Sequence, residues 1–239
     1  MRVFNFHGHT GLTTAMMDEV GIDRGVVLAG MGQNEEVFRV AGASGGRLVP
    51  FVFPEVEDLA GFAGRLEEYR ARGARGIKFQ PLTMRMEPDD RRLYPVYEKA
   101  QELGLVCLYH CGVVAFDDHH VRYGNPVYVD SVAWDFPELR IVLAHLGGNY
   151  NFEALVMAEA HGNIYLDTAY LKFFCERMIP PLNVAGLIER AVRFLGHGRV
   201  LYGYEGVRPE VIKYDLRVPE EARRAILWDN AVGLLRLED

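Results

Sequence analysis

The segment Arg2-Val3-Phe4-Asn5-Phe6-His7-Gly8-His9-Thr10 delivers two imidazoles, one residue apart, at the end of a short apolar run. In an extended strand alternate side chains share a face, so His7 and His9 point the same way, about 7 Å apart, a spacing at which both can hold one cation. A His-x-His pair alone is equally consistent with a polar strand end, so the choice rests on which other groups converge on it. Val106-Cys107-Leu108-Tyr109-His110 and Ile141-Val142-Leu143-Ala144-His145 each carry an apolar run to a histidine, and Arg199-Val200-Leu201-Tyr202-Gly203-Tyr204-Glu205 carries one to a carboxylate. Imidazoles plus an oxygen ligand, with one position left for water, are the donor set of a catalytic divalent metal: a single ion, zinc first, with manganese or iron as alternatives. Lys78, near the end of Gly76-Ile77-Lys78-Phe79, reads either as an ammonium that steadies an anionic group of a substrate or as a surface lysine.

These residues need elements that bring them together. Eight β-branched or aromatic runs begin near Val3, Gly25, Leu48, Gly76, Leu105, Arg140, Asn163 and Arg199. Between them lie amphipathic stretches such as Asp58 to Arg72, Tyr94 to Leu103, Val127 to Phe136, Phe152 to His161 and Ala185 to Leu195. Repeated strand-then-helix units predict the α/β class and a (β/α)8 TIM barrel, with residues 1–239 forming one domain. Such a barrel carries its chemistry at the carboxyl ends of its strands. That places His7, His9, Lys78, His110, His145 and Glu205 on the active face, and His161 and His197 on the opposite one. His119 and His120, in the long loop after the fifth strand, read as a solvated pair. Cys111, adjacent to His110, is expected to face away from the barrel axis. The cluster Gly42-Ala43-Ser44-Gly45-Gly46 precedes a strand instead of following one, so it reads as a helix stop and turn and not as a phosphate loop.

Composition bounds the partners. With 239 residues, 49% apolar and 11% aromatic, the chain can bury a large core. A net charge of -7, a pI near 5.6 and scattered arginines argue against nucleic acid and leave a small-molecule substrate. No run approaches the roughly eighteen apolar residues of a membrane span and no charged leader precedes the first strand, so no membrane partner and a cytoplasmic location are expected. Cys107, Cys111 and Cys175 read as reduced thiols. No motif fixes the oligomeric state, and a homodimer is among the states the sequence allows.

Taken in order, these motifs resemble the amidohydrolase superfamily, in its branch related to aminocarboxymuconate semialdehyde decarboxylase, often called amidohydrolase 2. The similarity lies in His7-Gly8-His9, Gly76-Ile77-Lys78, His110-Cys111-Gly112, the segment from Phe136 to Gly148, Asn163-Ile164-Tyr165-Leu166-Asp167-Thr168 and Asn230-Ala231, and it covers nearly the whole chain. The resemblance implies that His7, His9, His110 and the strand-eight acid, Glu205, bind one metal. It implies further that His145 is an acid/base beside the metal and that water is the nucleophile; zinc lowers the pKa of bound water from 15.7 to about 7. Two positions differ from the family pattern. Asn5 stands where an aspartate is usual, and Gly203-Tyr204-Glu205 replaces Gly-Ser/Thr-Asp, with Tyr204 expected to narrow the mouth. Three readings follow. The first is hydrolysis of a small carbonyl substrate. The second is non-oxidative decarboxylation, which a carboxylate-anchoring arginine such as Arg122 would favour. The third is a barrel that binds a metal or ligand without turnover. Specificity is expected to lie in loops such as Thr83 to Asp90 and Ala115 to Asn125.

Overall fold

Strands of a parallel sheet covered on both faces read as almost unbroken apolar runs, and here each such run becomes a strand. They are β1 (Phe4–Asn5), β2 (Arg24–Leu28), β3 (Leu48–Val52), β4 (Gly76–Phe79), β5 (Val106–Tyr109), β6 (Arg140–Leu143), β7 (Ile164–Asp167) and β8 (Val200–Leu201). The computed structural model describes residues 1–113 and 119–238. Residues 115–118 of the second loop expected to set specificity therefore lie outside the described residues.

All neighbouring strands pair in parallel and in sequence order, β1 through β8. The circle closes where the Phe6 N–H donates to the carbonyl of Tyr202 at 2.7 Å, just beyond the ends of β1 and β8. Parallel pairing also continues past β1, because His9 bridges Leu28. The fold is the (β/α)8 TIM barrel.

The crossovers are helical. They comprise α1 (Thr14–Val20), α2 (Asn34–Ala43), α3 (Leu59–Ala71), α4 (Pro81–Met84), α5 (Tyr94–Leu103), α6 (Val129–Asp135), α7 (Asn151–Ala160), α8 (Leu171–Arg177) and α9 (Val184–Leu195), with α10 (Glu220–Arg224) and α11 (Asn230–Leu235) following β8. After α2 the chain turns through Gly45 and Gly46, both at positive φ, as the glycine cluster predicted. No described helix is long and apolar enough to cross a membrane.

Period-two alternation along the strands divides the apolar side chains into two cores. Val26, Leu28, Val49, Phe51, Val106, Leu108, Val142 and Leu201 fill the barrel with Phe4 and Phe6, and Trp228 meets Phe4 edge-on with ring centres 5.9 Å apart. The alternate positions, including Val27, Ile77, Cys107, Tyr109, Ile141, Leu143 and Tyr202, pack outward against the helices. Complete burial of each such side chain is worth about 1.5–3 kcal/mol, so the two shells hold the strand ends in fixed register. Cys111 belongs to the outer shell, away from the axis, and burial pushes its thiol up to about 12, which keeps it protonated.

Candidate active site and metal centre

His7, His9, Lys78, His110, His145 and Glu205 line one cavity of about 240 Å³ at the carboxyl ends of the strands, together with Gln80 and Tyr170. The six residues singled out from the sequence thus come together. The two histidines of the first strand meet edge to face with ring centres 5.4 Å apart, His7 buried and His9 half exposed. Glu205 spans them: Oε1 is 2.7 Å from His9 Nε2, and Oε2 is 3.6 Å from His7 Nε2. Burial works to raise the Glu205 carboxyl, but His7, His9 and Lys78 outweigh it and hold the group down at about 2.

Asn5 explains how Glu205 is aimed. Its Oδ1 accepts from the His7 N–H at 3.0 Å and from the Tyr204 N–H at 2.9 Å, tying the loop after β8 to the end of β1. An amide serves here where the family pattern has an acid, because both partners are donors. Tyr204 does not narrow the mouth as its bulk suggested: its side chain packs against the outer core and is not among the residues lining the cavity.

The turn after β6 brings His145 over the barrel mouth by an unusual backbone path. His145, Leu146, Gly147 and Gly148 all have positive φ, at 62°, 47°, 84° and 63°. Glycine is required at 148, where a Cβ would lie 2.7 Å from the Gly112 Cα and 2.8 Å from the Cys111 carbonyl. This crossing of the loops after β5 and β6 lets His145 Nε2 approach His110 Nδ1 to 3.2 Å, with ring centres 5.0 Å apart.

Hydrogen bonding then fixes where the protons sit. His145 Nδ1 lies 2.8 Å from the Ala169 carbonyl, which can only accept, so Nδ1 carries the proton and Nε2 presents a lone pair. Burial, followed by the charge of His7, brings His145 down to about 3, so it is neutral. His110 must therefore donate through Nδ1, which leaves its Nε2 as a lone pair. Burial, then His145 and Lys78, keep His110 well below its ordinary value, and its buried Nε2 has no hydrogen-bond partner among the described residues. A buried, unpartnered imidazole lone pair beside a carboxylate and a second imidazole fits a divalent cation. Among the described residues, ligand atoms of His7, His145 and Glu205 all lie within 4.8 Å of one another.

Lys78 is 2% exposed, and its Nζ also lacks a hydrogen-bond partner among the described residues. Burial lowers it to about 8 against the pull of Asp167 and Glu205. Residues the sequence did not single out complete the surroundings. Asp167, at the end of β7, is fully buried and 2.8 Å from His7 Nδ1. Tyr170 has φ 59°, lines the cavity, and stacks on Phe173 at 4.6 Å. The signal for Asp167 was available: an acid closing the apolar run Ile164-Tyr165-Leu166 belongs on the same face as the histidines. Arg122 pairs with Glu87, and no arginine is among the described residues lining the cavity. His161 pairs with Asp130 at 2.7 Å, far from the cavity, and His119, His120 and His197 do not line it either.

A barrel with converging histidines and an acid at its strand ends defines the amidohydrolase class. A family model described as Amidohydrolase matches residues 9–237, and the chain belongs to that family. No curated protein matches the sequence. Among solved structures the chain is similar to an uncharacterized TIM-barrel protein from Bordetella bronchiseptica, at 21% identity and TM-score 0.79, covering 99% of each chain. It is also similar to 5-carboxyvanillate decarboxylase from Sphingomonas paucimobilis, at 17% identity and TM-score 0.74, covering 96% of this chain and 83% of that one. A third is 4-oxalomesaconate hydratase from Rhodopseudomonas palustris, at 17% identity and TM-score 0.67, covering 98% and 95%. At these identities the likeness establishes the shared fold.

Proposed function

We propose that the chain is a metal-dependent hydrolase in which His7, His9, His110 and Glu205 hold one divalent cation, zinc first, and a small anionic carbonyl compound is the substrate. The observation that carries this reading is the His110 Nε2 lone pair, buried and unpartnered beside Glu205 and His7. When bound, such a cation supplies Lewis-acid polarisation of the carbonyl and acidification of water.

The chain's own residues divide the remaining work. Glu205, ionised at neutral pH and with its side chain 27% exposed, accepts the proton of the attacking water. Lys78 holds an anionic group of the substrate in a cavity of about 240 Å³, which suits a small molecule. His145 acts through His110, whose Nδ1 it faces, and its buried ring keeps water from that side. Two features favour hydrolysis over decarboxylation. Among the described residues no arginine lines the cavity to anchor a departing carboxylate, and His145 Nε2 is engaged by His110, away from a role in protonating carbon.

The test is to reconstitute metal-free protein with zinc, manganese or iron and to offer carboxylated amides, esters and lactones beside carboxylated aromatics. Metal-dependent appearance of the ring-opened or cleaved acid supports the proposal. Release of carbon dioxide instead would assign a carboxy-lyase, and tight metal binding without turnover would assign a binding barrel.

A further inference from the structure

The structure assigns to Asp167 a positioning role: it fixes the tautomer of His7 so that the Nε2 lone pair points into the cavity. This rests on the reading of His7 as a ligand, but it makes a claim about the protein that holds with no metal present.

The geometry around Asp167 leaves its two oxygens with different duties. Oδ1 accepts from the His145 N–H at 2.9 Å and from the Ala169 N–H at 3.0 Å. Oδ2 stands 2.8 Å from His7 Nδ1, both groups being buried. The carboxylate therefore accepts from Nδ1–H, and the neutral His7 ring must carry its lone pair on Nε2. A carboxylate behind a ligating imidazole both orients the ring and raises its basicity.

The same carboxylate reaches further. By capping the His145 N–H it holds a residue whose φ of 62° is strained for a non-glycine side chain. The Ala169 carbonyl, two residues beyond Asp167, fixes the proton of His145 and, through it, that of His110. The end of β7 thus sets the proton positions of imidazoles from β1, β5 and β6.

Asp167→Asn separates this role from mere packing. The amide Oδ1 keeps both backbone donors, so the amide nitrogen is forced toward His7 Nδ1. There it donates, which moves the ring proton to Nε2 and withdraws the lone pair from the cavity. Long-range nitrogen-15 NMR on the metal-free protein, with His7 assigned through His7→Gln, should find Nδ1 protonated in the parent and Nε2 protonated in Asp167→Asn. Chelator competition should find zinc affinity lower by about 10- to 100-fold in the variant, with the melting temperature little changed. A parent protein whose His7 is protonated on Nε2, or a variant with an unaltered tautomer, overturns the assignment. If Asp167→Asn does not fold, the parent's tautomer alone decides. Failure of the parent to bind zinc would count against the proposed function, and the tautomer measurement would still judge Asp167.

Discussion

Oε1 of Glu205 stands 2.7 Å from Nε2 of His9, a separation at which a proton lies between the two atoms. The other oxygen faces His7 Nε2 at 3.6 Å, too far for such a bond. A divalent cation bound at His9 Nε2 takes the place of that proton, which a neutral imidazole can carry on Nδ1 instead. Glu205→Gln keeps the shape and deletes the charge, and zinc affinity is expected to fall by about 10- to 100-fold. Unchanged affinity in the variant would leave a site of histidines alone and remove Glu205 from the ligand set.

His110 and His145 should behave differently on truncation, although their rings are neighbours. His110→Ala removes a ligand lone pair, whereas His145→Ala removes the group that accepts from His110 Nδ1 and steadies that ring. We expect zinc affinity to drop by about 10- to 100-fold in His145→Ala and further still in His110→Ala. Chelator competition on the two purified variants gives the comparison. A larger loss in His145→Ala would instead favour the trio His7, His145 and Glu205 as the ligand set.

The barrel was legible because its strands are buried on both sides. Runs such as Val106-Cys107-Leu108-Tyr109 and Arg140-Ile141-Val142-Leu143 leave no doubt about period or position, and each strand begins within one residue of where its run predicted. Helix α5 matched from Tyr94 to Leu103, and α2 was foreseen only through its glycine stop, whereas α1 was not foreseen, being a single seven-residue element with only Met17 buried. The histidines and Glu205 could be placed because the rule for strand ends needs only local pattern. What local pattern does not carry is contact between distant positions. Asp167 lies 160 residues from His7, and Asn5 lies 199 from Tyr204, so neither bond has any signature along the chain. The burial of Lys78 was equally hidden, since Gly76-Ile77-Lys78-Phe79 does not reveal that residue 78 shares the inner face with Gly76, where a Cβ would strike Phe51.

Gly148→Ala should test whether the loop crossing positions the site. Its φ of 63° and ψ of -124° suit glycine alone, and the added methyl would meet the Gly112 backbone. Backbone strain by itself costs about 1–3 kcal/mol, and the clash adds to it. Urea denaturation should register at least that loss. Because Gly112 follows His110 by two residues, zinc affinity should fall with stability. A variant as stable as the parent would mean that the crossing relaxes freely.

Lys78→Met should stabilise the metal-free protein while impairing its use of an anionic substrate. The buried ammonium has no hydrogen-bond partner among the described residues, and burial brings its pKa from 10.5 to about 8. Between those values the unfolded chain still holds the proton that the folded one has lost, so stability rises with pH through this window. Below pH 8 both states are protonated and the cost of burying the cation is present in full, about 3 kcal/mol for a shift of this size. Methionine fills similar space without charge, so the variant should gain about 1–3 kcal/mol at pH 7, and its advantage should narrow by more than half near pH 9.5. Denaturant melts of both proteins at the two pH values measure the difference. With zinc restored, the variant's KM for a carboxylated substrate should rise by about 10-fold or more, the loss expected when a charged hydrogen bond of about 1.5–3 kcal/mol is removed. Parallel pH dependence in the two proteins would show that Lys78 is not desolvated as its surroundings imply, and an unchanged KM would detach it from the substrate.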